Sequence, residues 1–504
     1  MAKLAVRSGL VRGSVNLPGI TFEGKVLTKK LLEKDYVDHH CYFRAGGLHN
    51  HLNHHLLAAY DLGAPPALLQ AIYDGEASYQ RPIEGEGSLK DLTIDHKNWT
   101  EYVGKPDAYK AYLMFFSQEV QEKGVTETFE KYVFDPAANG NGTEMRARFF
   151  SGAFHPVIQT GYGFEFQDPL VVAEGLAQTA IHNTTAAAVM LEPLIPTSTT
   201  KSAAHDGQRQ PAHGKSILSV LRAVYASDTL HPVMPYDADG MLSKRTRDFL
   251  SVPNTDRPGE IARLCSEWTT SLPDSSDPSS LEAFERDLEA RVEECMWLGL
   301  LLTFATGKKG RKPRLDFFLM HTLTSSLFLS STLAALKTPA YKLTYLQGWL
   351  RGTIMYVILR GRPRIDPALL MSYDAYPHPP AGALTAKPGK DAWGQPGKAE
   401  MANPWAQMLA SILYAPDSHT IKTMRSLVLA EQRYGTTAPG AVIGAFEEDG
   451  KTETHVGAGK LDGTAFVRAA GVLMDTMGWV DYGQKEGEWD RSALGWDEAW
   501  AHGD

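Results

Sequence analysis

The chain has 504 residues, of which 43% are hydrophobic and 22% charged, and its formal net charge is -9. That composition belongs to a globular protein with an extensive core, and the acidic balance excludes nucleic acid as the main partner, since a phosphate-binding surface needs a basic excess or stripe. Three widely spaced cysteines, Cys41, Cys265 and Cys295, fit neither a disulfide framework nor a thiolate zinc site.

The opening "MAKLAVRSGLVRGSVNLPG" lacks the uninterrupted apolar core of a secretory signal, and no apolar run reaches the roughly 20 residues that span a bilayer. A cytoplasmic protein with no membrane partner is expected. Residues 1–30 read as an N-terminal arm of short strands or irregular chain, and helical patterns dominate afterwards.

The first chemical signal is "AGGLHNHLNHHLLAAYDLGAPPALL", which crowds His49, His51, His54 and His55 into one helix-like stretch. On a helix His51 and His55 stack at i and i+4, with His54 one turn from His51. Both border the apolar stripe of Leu52, Leu56 and Ala59, and imidazoles at this spacing suit one transition-metal ion. His49, where the helix begins, reads as supporting structure.

Next, "SGAFHPVIQTGYGFEFQDP" sets His155 before Pro156, which favours extended backbone at the histidine. Asp168 and Pro169 then supply an N-cap and a first-turn proline for a helix that carries Glu174 and leads to His182. Glu165 and Tyr162 are candidates to exchange a proton with a substrate hydroxyl, and Glu165 or Glu174 to give a metal its anionic ligand.

Three consecutive apolar helices form the expected central layer: "SSLEAFERDLEARVEECMWLGLLLTFAT", "LDFFLMHTLTSSLFLSSTLAAL" and "AYKLTYLQGWLRGTIMYVILRGRP". His321 lies in the second with only hydroxyls as local polar company. Lys342, in the third, shares a face with Leu346, Trp349 and Leu350. A lysine buried there has a depressed pKa, and its neutral amine can add carbon dioxide to become an anionic carbamate ligand. The basic run "GKKGRKPR" reads as a connecting loop. Residues 377–404 read as a long loop, and 480–504 as a Trp-rich tail that packs back onto the body. The expected fold class is mainly α: a single large multi-helix domain over 1–504 with long surface loops.

No G-x-G-x-x-G turn follows a strand, and neither a phosphate loop nor a G-x-S-x-G elbow occurs. A Rossmann-held flavin or nicotinamide and a serine hydrolase are thereby disfavoured.

The blocks "GGLHNHLNHHLLAAYDLGAPPALL", "FHPVIQTGYGFEFQDPLVVAEGLAQTAIH", "LMHTLTSSLFL" and "YLQGWLRGTIMYVILRGRP" resemble, in order, the signature blocks of the questin oxidase-like family. The resemblance implies an enzyme that oxidises anthraquinones or related polycyclic aromatic polyketides, by Baeyer-Villiger-like oxygen insertion or by oxidative ring cleavage. Some members are described as NADPH-dependent, and the resemblance leaves that requirement open here. Combined with the histidine geometry it implies a mononuclear non-haem Fe(II) oxygenase using dioxygen, with metal ligands drawn from His51, His54, His55, His155 and His321 and a carboxylated Lys342 as a further ligand. Trp349, Phe164, Phe317 and Tyr162 are the aromatic side chains expected to line a flat pocket. Two other readings fit the residues: a zinc-dependent hydrolase or dehydratase, because the histidine pair suits zinc as well as iron, and a non-catalytic helical binding protein for aromatic polyketides.

Overall fold

The computed structural model describes residues 10–44, 47–84, 89, 91–184, 186–193, 207–380, 391–394 and 398–501. Helix accounts for 56% of the chain, and among the described residues the strands form one short antiparallel pair, so the mainly α expectation holds. The helices that set the site and its supports are α1 (Phe22–Asp38), α2 (Leu52–Asp61), α3 (Pro66–Ala77), α4 (Tyr109–Lys123), α5 (His155–Glu165), α6 (Pro169–Ile181), α7 (Pro278–Phe304), α8 (Phe317–Ser326), α9 (Pro339–Leu359), α10 (Ser418–Tyr434) and α11 (Ala465–Met477). Between α1 and α2, β1 (Tyr42–Arg44) pairs with β2 (Leu48–His49), with Tyr42 opposite His49.

Aspartates open several of these helices. Asp168 accepts from the amides of Leu170 and Val171, Asp277 from Ser279, and Asp316 from Phe318 and Leu319. Proline follows the first two caps at a position that needs no amide hydrogen, and each such cap contributes about 1 kcal/mol. The C-terminal half of α7, all of α8 beyond Phe318, and α9 from Tyr345 onward are buried on every face. Trp349 of α9 donates its indole N–H to Ser325 of α8 at 2.9 Å, so this layer is joined by a directed bond as well as by packing.

Two sequence expectations are corrected here. The arm is shorter than residues 1–30, because α1 starts at Phe22 behind the Thr21 cap, and no strand forms in residues 10–21. The arm's amides are instead satisfied by buried carboxylates: Ser14 donates to Glu165, and Val15 and Asn16 donate to Asp61. The apolar stretch after Asp316 is also not one helix. α8 ends at Ser326 and a second segment, Leu329–Ala335, continues at 47° to it. Thr322, Ser325 and Ser326 all turn their hydroxyls back onto carbonyls of the preceding turn, a bonding pattern that bends helices. Phe328 at the break packs onto Gly161 of α5, where any Cβ would collide with its ring.

Of the expected loop 377–404 and tail 480–504, residues 381–390, 395–397 and 502–504 lie outside the described residues. The basic loop ties the tail to the body: Arg314 pairs with Asp490 at 2.6 Å and donates to the carbonyl of Ala499, and Arg311 donates to that of Trp500. Among the described residues no single helix is long and apolar enough to cross a membrane.

Candidate metal centre

α10 packs against α2 and α8, and α5 packs against α8 and α2, so four helices meet around one polar point. Each delivers a histidine. α2 begins at Leu52, which leaves His51 at the N-cap rather than on a helix face. His51 and His55 therefore do not form the expected stacked pair. His51 Nε2 lies 2.7 Å from Nε2 of His155, whereas His55 Nδ1 lies 2.8 Å from Glu76 Oε1 on α3.

His155 departs from expectation in backbone, since it is the first helical residue of α5 with φ -58° and ψ -41°. The unusual conformation falls just upstream, where Gly152, Ala153 and Phe154 have φ of 56°, 52° and 64°. For the two non-glycine residues such a left-handed turn costs on the order of 1 kcal/mol or more each, and strain of this kind concentrates at functional sites. The turn aims the Gly152 carbonyl at His155 Nδ1. Only glycine fits at 152, because a Cβ would run into the His182 ring. Gly152→Ala is expected to displace this carbonyl and weaken metal binding by ~10–100-fold, the usual cost of losing an outer-shell partner, as read by a competitive chelator titration.

The hydrogen-bond network assigns the tautomers. His155 donates from Nδ1 to Gly152, His321 from Nδ1 to the carbonyl of Phe317 at 2.7 Å, and His419 from Nδ1 to Asp417 Oδ1 at 2.8 Å. Each therefore presents an Nε2 lone pair. Those of His321 and His419 are buried and have no hydrogen-bond partner in the protein. Ligand atoms of His51, His155 and His419 all lie within 4.8 Å of one another, and the His321 ring is 4.8 Å from that of His155 and 5.2 Å from that of His419. Metal-binding histidines are held in this way, with the second nitrogen fixed by a carbonyl or carboxylate.

His54 is oriented with opposite polarity. Asn53 and Gln159 both donate their amide N–H groups to Glu174, which turns the Gln159 oxygen toward His54 Nε2 at 2.7 Å. His54 must then donate from Nε2, leaving its buried Nδ1 as the unpaired lone pair.

Burial pushes His51, His54, His155, His321 and His419 below the ordinary histidine range, and the Lys422 ammonium adds to the effect. All five are neutral near pH 7, the form that binds metal. Lys422, one turn after His419 on α10, is itself pushed down to about 8 by burial, and its Nζ has no hydrogen-bond partner. Phe317 packs edge-on against both His321 and His419, at 4.9 and 4.8 Å between ring centres.

The sequence profile of the questin oxidase-like family matches residues 48–427, a span that begins just before the histidine-rich stretch and ends just after Lys422 and Arg425. The chain belongs to the questin oxidase-like family. It is 29% identical over 323 residues to a Baeyer-Villiger oxidase, AgnL3, of Paecilomyces divaricatus, an alignment covering 63% of this chain and 64% of that one. It is 26% identical to a questin oxidase of Aspergillus terreus, covering 94% and 91% of the two chains, and 27% identical to the Baeyer-Villiger monooxygenase dmxR6 of a Cryptosporiopsis species, covering 83% and 84%.

In this questin oxidase-like chain several expected site residues stand elsewhere. Lys342 is buried as expected, at 9% exposed, but its Nζ pairs with half-exposed Glu285 at 2.5 Å and not with the histidines. Its aliphatic stem covers apolar neighbours and turns the ammonium toward that carboxylate, as lysines commonly do. Lys342→Gln is expected to leave metal content and turnover unchanged and to cost about 1 kcal/mol, because the half-exposed Glu285 partner keeps the pair near solvent; urea unfolding and elemental analysis check both. Glu165 is anchored through one oxygen, Oε1, which accepts from Arg425 and from the Ser14 amide, so it faces the Arg425 guanidinium, while its buried Oε2 has no hydrogen-bond partner. Tyr162 stacks on the His54 ring at 5.0 Å with Arg425 over its other side, so it backs the cluster. Glu174 orients His54 through Asn53 and Gln159. Of the expected pocket aromatics, Phe317 and Tyr162 flank the histidines, whereas Trp349 and Phe164 pack in the core against Phe154 and Phe129.

His419 and Lys422 are the residues that sequence reasoning missed. A second pair, His49 and His182, joined through their Nε2 atoms at 2.9 Å, lies behind His155, with His49 stacked on the His155 ring at 3.9 Å and 6°.

Proposed function

We propose that this protein is a non-haem iron oxygenase that uses dioxygen to oxidise an anthraquinone or related polycyclic aromatic polyketide next to a ring carbonyl. The observation that carries the reading is the convergence of half-buried His51 and buried His155 and His419 with the unpaired Nε2 of His321 in one neutral cluster. The oxidase and monooxygenase names of the relatives supply the reaction class and favour a redox-active metal over zinc. The donors fit the group: they are nitrogen-rich, fixed at the opposite ring nitrogen, and without thiolate.

In this reading His51, His155 and His419 hold the metal, His321 and the Nδ1 of His54 stand as further nitrogen donors, and Lys422 takes the part expected of Lys342. A ferrous ion supplies the one-electron chemistry with dioxygen that amino-acid side chains lack. Burial keeps the imidazoles neutral, and Nδ1 tethers hold the rings of His155, His321 and His419 in place before any ion arrives. Phe317 walls the cluster on the side of α8, edge-on to His321 and His419 and with the Arg491 guanidinium over its ring at 4.2 Å. Near pH 7 a minor fraction of Lys422 is uncharged, because burial pushes its pKa down to about 8; that amine adds to carbon dioxide and loses a proton, which yields a carbamate and the anionic donor an all-histidine set lacks. Lys422→Met is expected to lose most of the bound iron, together with a carbamate resonance visible in wild-type protein equilibrated with isotope-labelled bicarbonate. Full iron occupancy in that variant removes lysine from the ligand set.

The function is tested by oxygen uptake of iron-loaded protein given an anthraquinone or its hydroquinone, using isotope-labelled dioxygen. Label in a ring-oxidised product is expected. Stoichiometric zinc in protein purified without added metal, with no dioxygen uptake after iron loading, overturns the proposal.

A further inference from the structure

Outside the histidine cluster, two guanidinium groups face the same small cavity of about 80 Å³, Arg146 from the helix Met145–Phe149 and Arg351 from α9. Arg351 is only 2% exposed. Its terminal nitrogens donate to the backbone carbonyls of Val189, Glu192 and Pro193, all of them neutral acceptors, and its Nε has no partner. The Nε of Arg146 is also buried and without a partner. Among the described residues neither arginine makes an ion pair. The two charges act on each other: burial first, and then the neighbouring Arg351 charge, lowers the Arg146 pKa. Glu192 is among the residues that line the cavity, and its charge favours the charged form of Arg351 from a distance, which still leaves one positive charge in excess.

A buried guanidinium beside a second, half-buried one, with no carboxylate in ion-pair contact with either, is costly to hold. An anion between them removes that cost, and the planar fork of arginine matches tetrahedral oxyanions in particular. The cavity of about 80 Å³ has room for one tetrahedral oxyanion between the two arginines. We infer that Arg146 and Arg351 form a binding site for one phosphate group, either free inorganic phosphate or the terminal phosphate of a larger molecule. The site is separate from the proposed metal centre and does not depend on it.

The test is calorimetric titration and thermal unfolding of the full chain in phosphate-free buffer, with inorganic phosphate, adenosine monophosphate and, at matched ionic strength, chloride. One saturable phosphate site per chain is expected, with a rise in Tm that chloride does not reproduce. Tighter binding of adenosine monophosphate than of inorganic phosphate assigns the site to the phosphate of a larger molecule, and the reverse order assigns it to the free ion. Arg146→Gln, which removes a side chain that holds no other group, is expected to lower phosphate affinity at least tenfold and to raise Tm in the absence of phosphate by relieving the repulsion. Arg351 also anchors a loop, so Arg351→Lys, which keeps the charge but not the fork, serves as the second variant and is expected to weaken phosphate more than it lowers Tm. Phosphate binding no tighter than chloride, or wild-type affinity in Arg146→Gln, overturns the inference.

Discussion

Alanine at His419 is expected to abolish stoichiometric iron binding and to bring substrate-dependent oxygen uptake to background, while the protein stays folded. The loss exceeds the ~10–100-fold that removing an outer-shell partner costs, because a directly bound nitrogen disappears. His419 gives up one side-chain hydrogen bond, to Asp417, worth about 1 kcal/mol, so stability is not the reason for the loss. His55→Ala is the contrast. Its partner is Glu76 and no ring contact joins it to the other histidines among the described residues, so iron content is expected to survive. Equal loss in both variants contradicts the assignment of His419 as a ligand and His55 as support.

Arg425→Met is expected to lower stability by about 3–5 kcal/mol, the cost of leaving buried charge unpaired, a large part of the ~5–15 kcal/mol that holds a domain folded. Arg425 is fully buried, with Nε on Asp61 at 2.9 Å and a terminal nitrogen on Glu165. Those carboxylates also receive the amides of Ser14, Val15 and Asn16, so one guanidinium couples α10, α2, α5 and the N-terminal arm. Its loss leaves two carboxylates close together without a cation, directly behind His54 and Tyr162. Urea unfolding checks it: a large fall in midpoint is expected, and an unchanged midpoint refutes the structural role given to Glu165.

The helical fold was open to reading because its signals are local. Asp168 followed by Pro169 starts a helix in any context, and the apolar run of α9 needs burial wherever it lies. His155 and His321 were legible for the same reason, as lone polar groups in apolar blocks. His51 was found through a helical spacing that does not apply, since a cap residue points its ring differently from a residue one turn inside. The contribution of α10 was hidden. In "SHTIKTMRSL" His419, Lys422 and Arg425 recur at three-residue spacing, the pattern of a solvated face, and only packing against α2 and α8 reveals that this face is buried. Lys342 differs in another way: its apolar neighbours imply burial, which holds, but its long side chain carries the amine to Glu285 and away from the histidines.

The central claim is a four-helix, nitrogen-rich iron site that includes His419. It is tested most directly by anaerobic titration of metal-free protein with ferrous iron, followed by X-ray absorption at the iron edge. One iron per chain in a shell dominated by nitrogen and oxygen, without sulfur and absent from His419→Ala, is the expected result. Failure to bind one equivalent, or an unchanged spectrum in His419→Ala, contradicts the account.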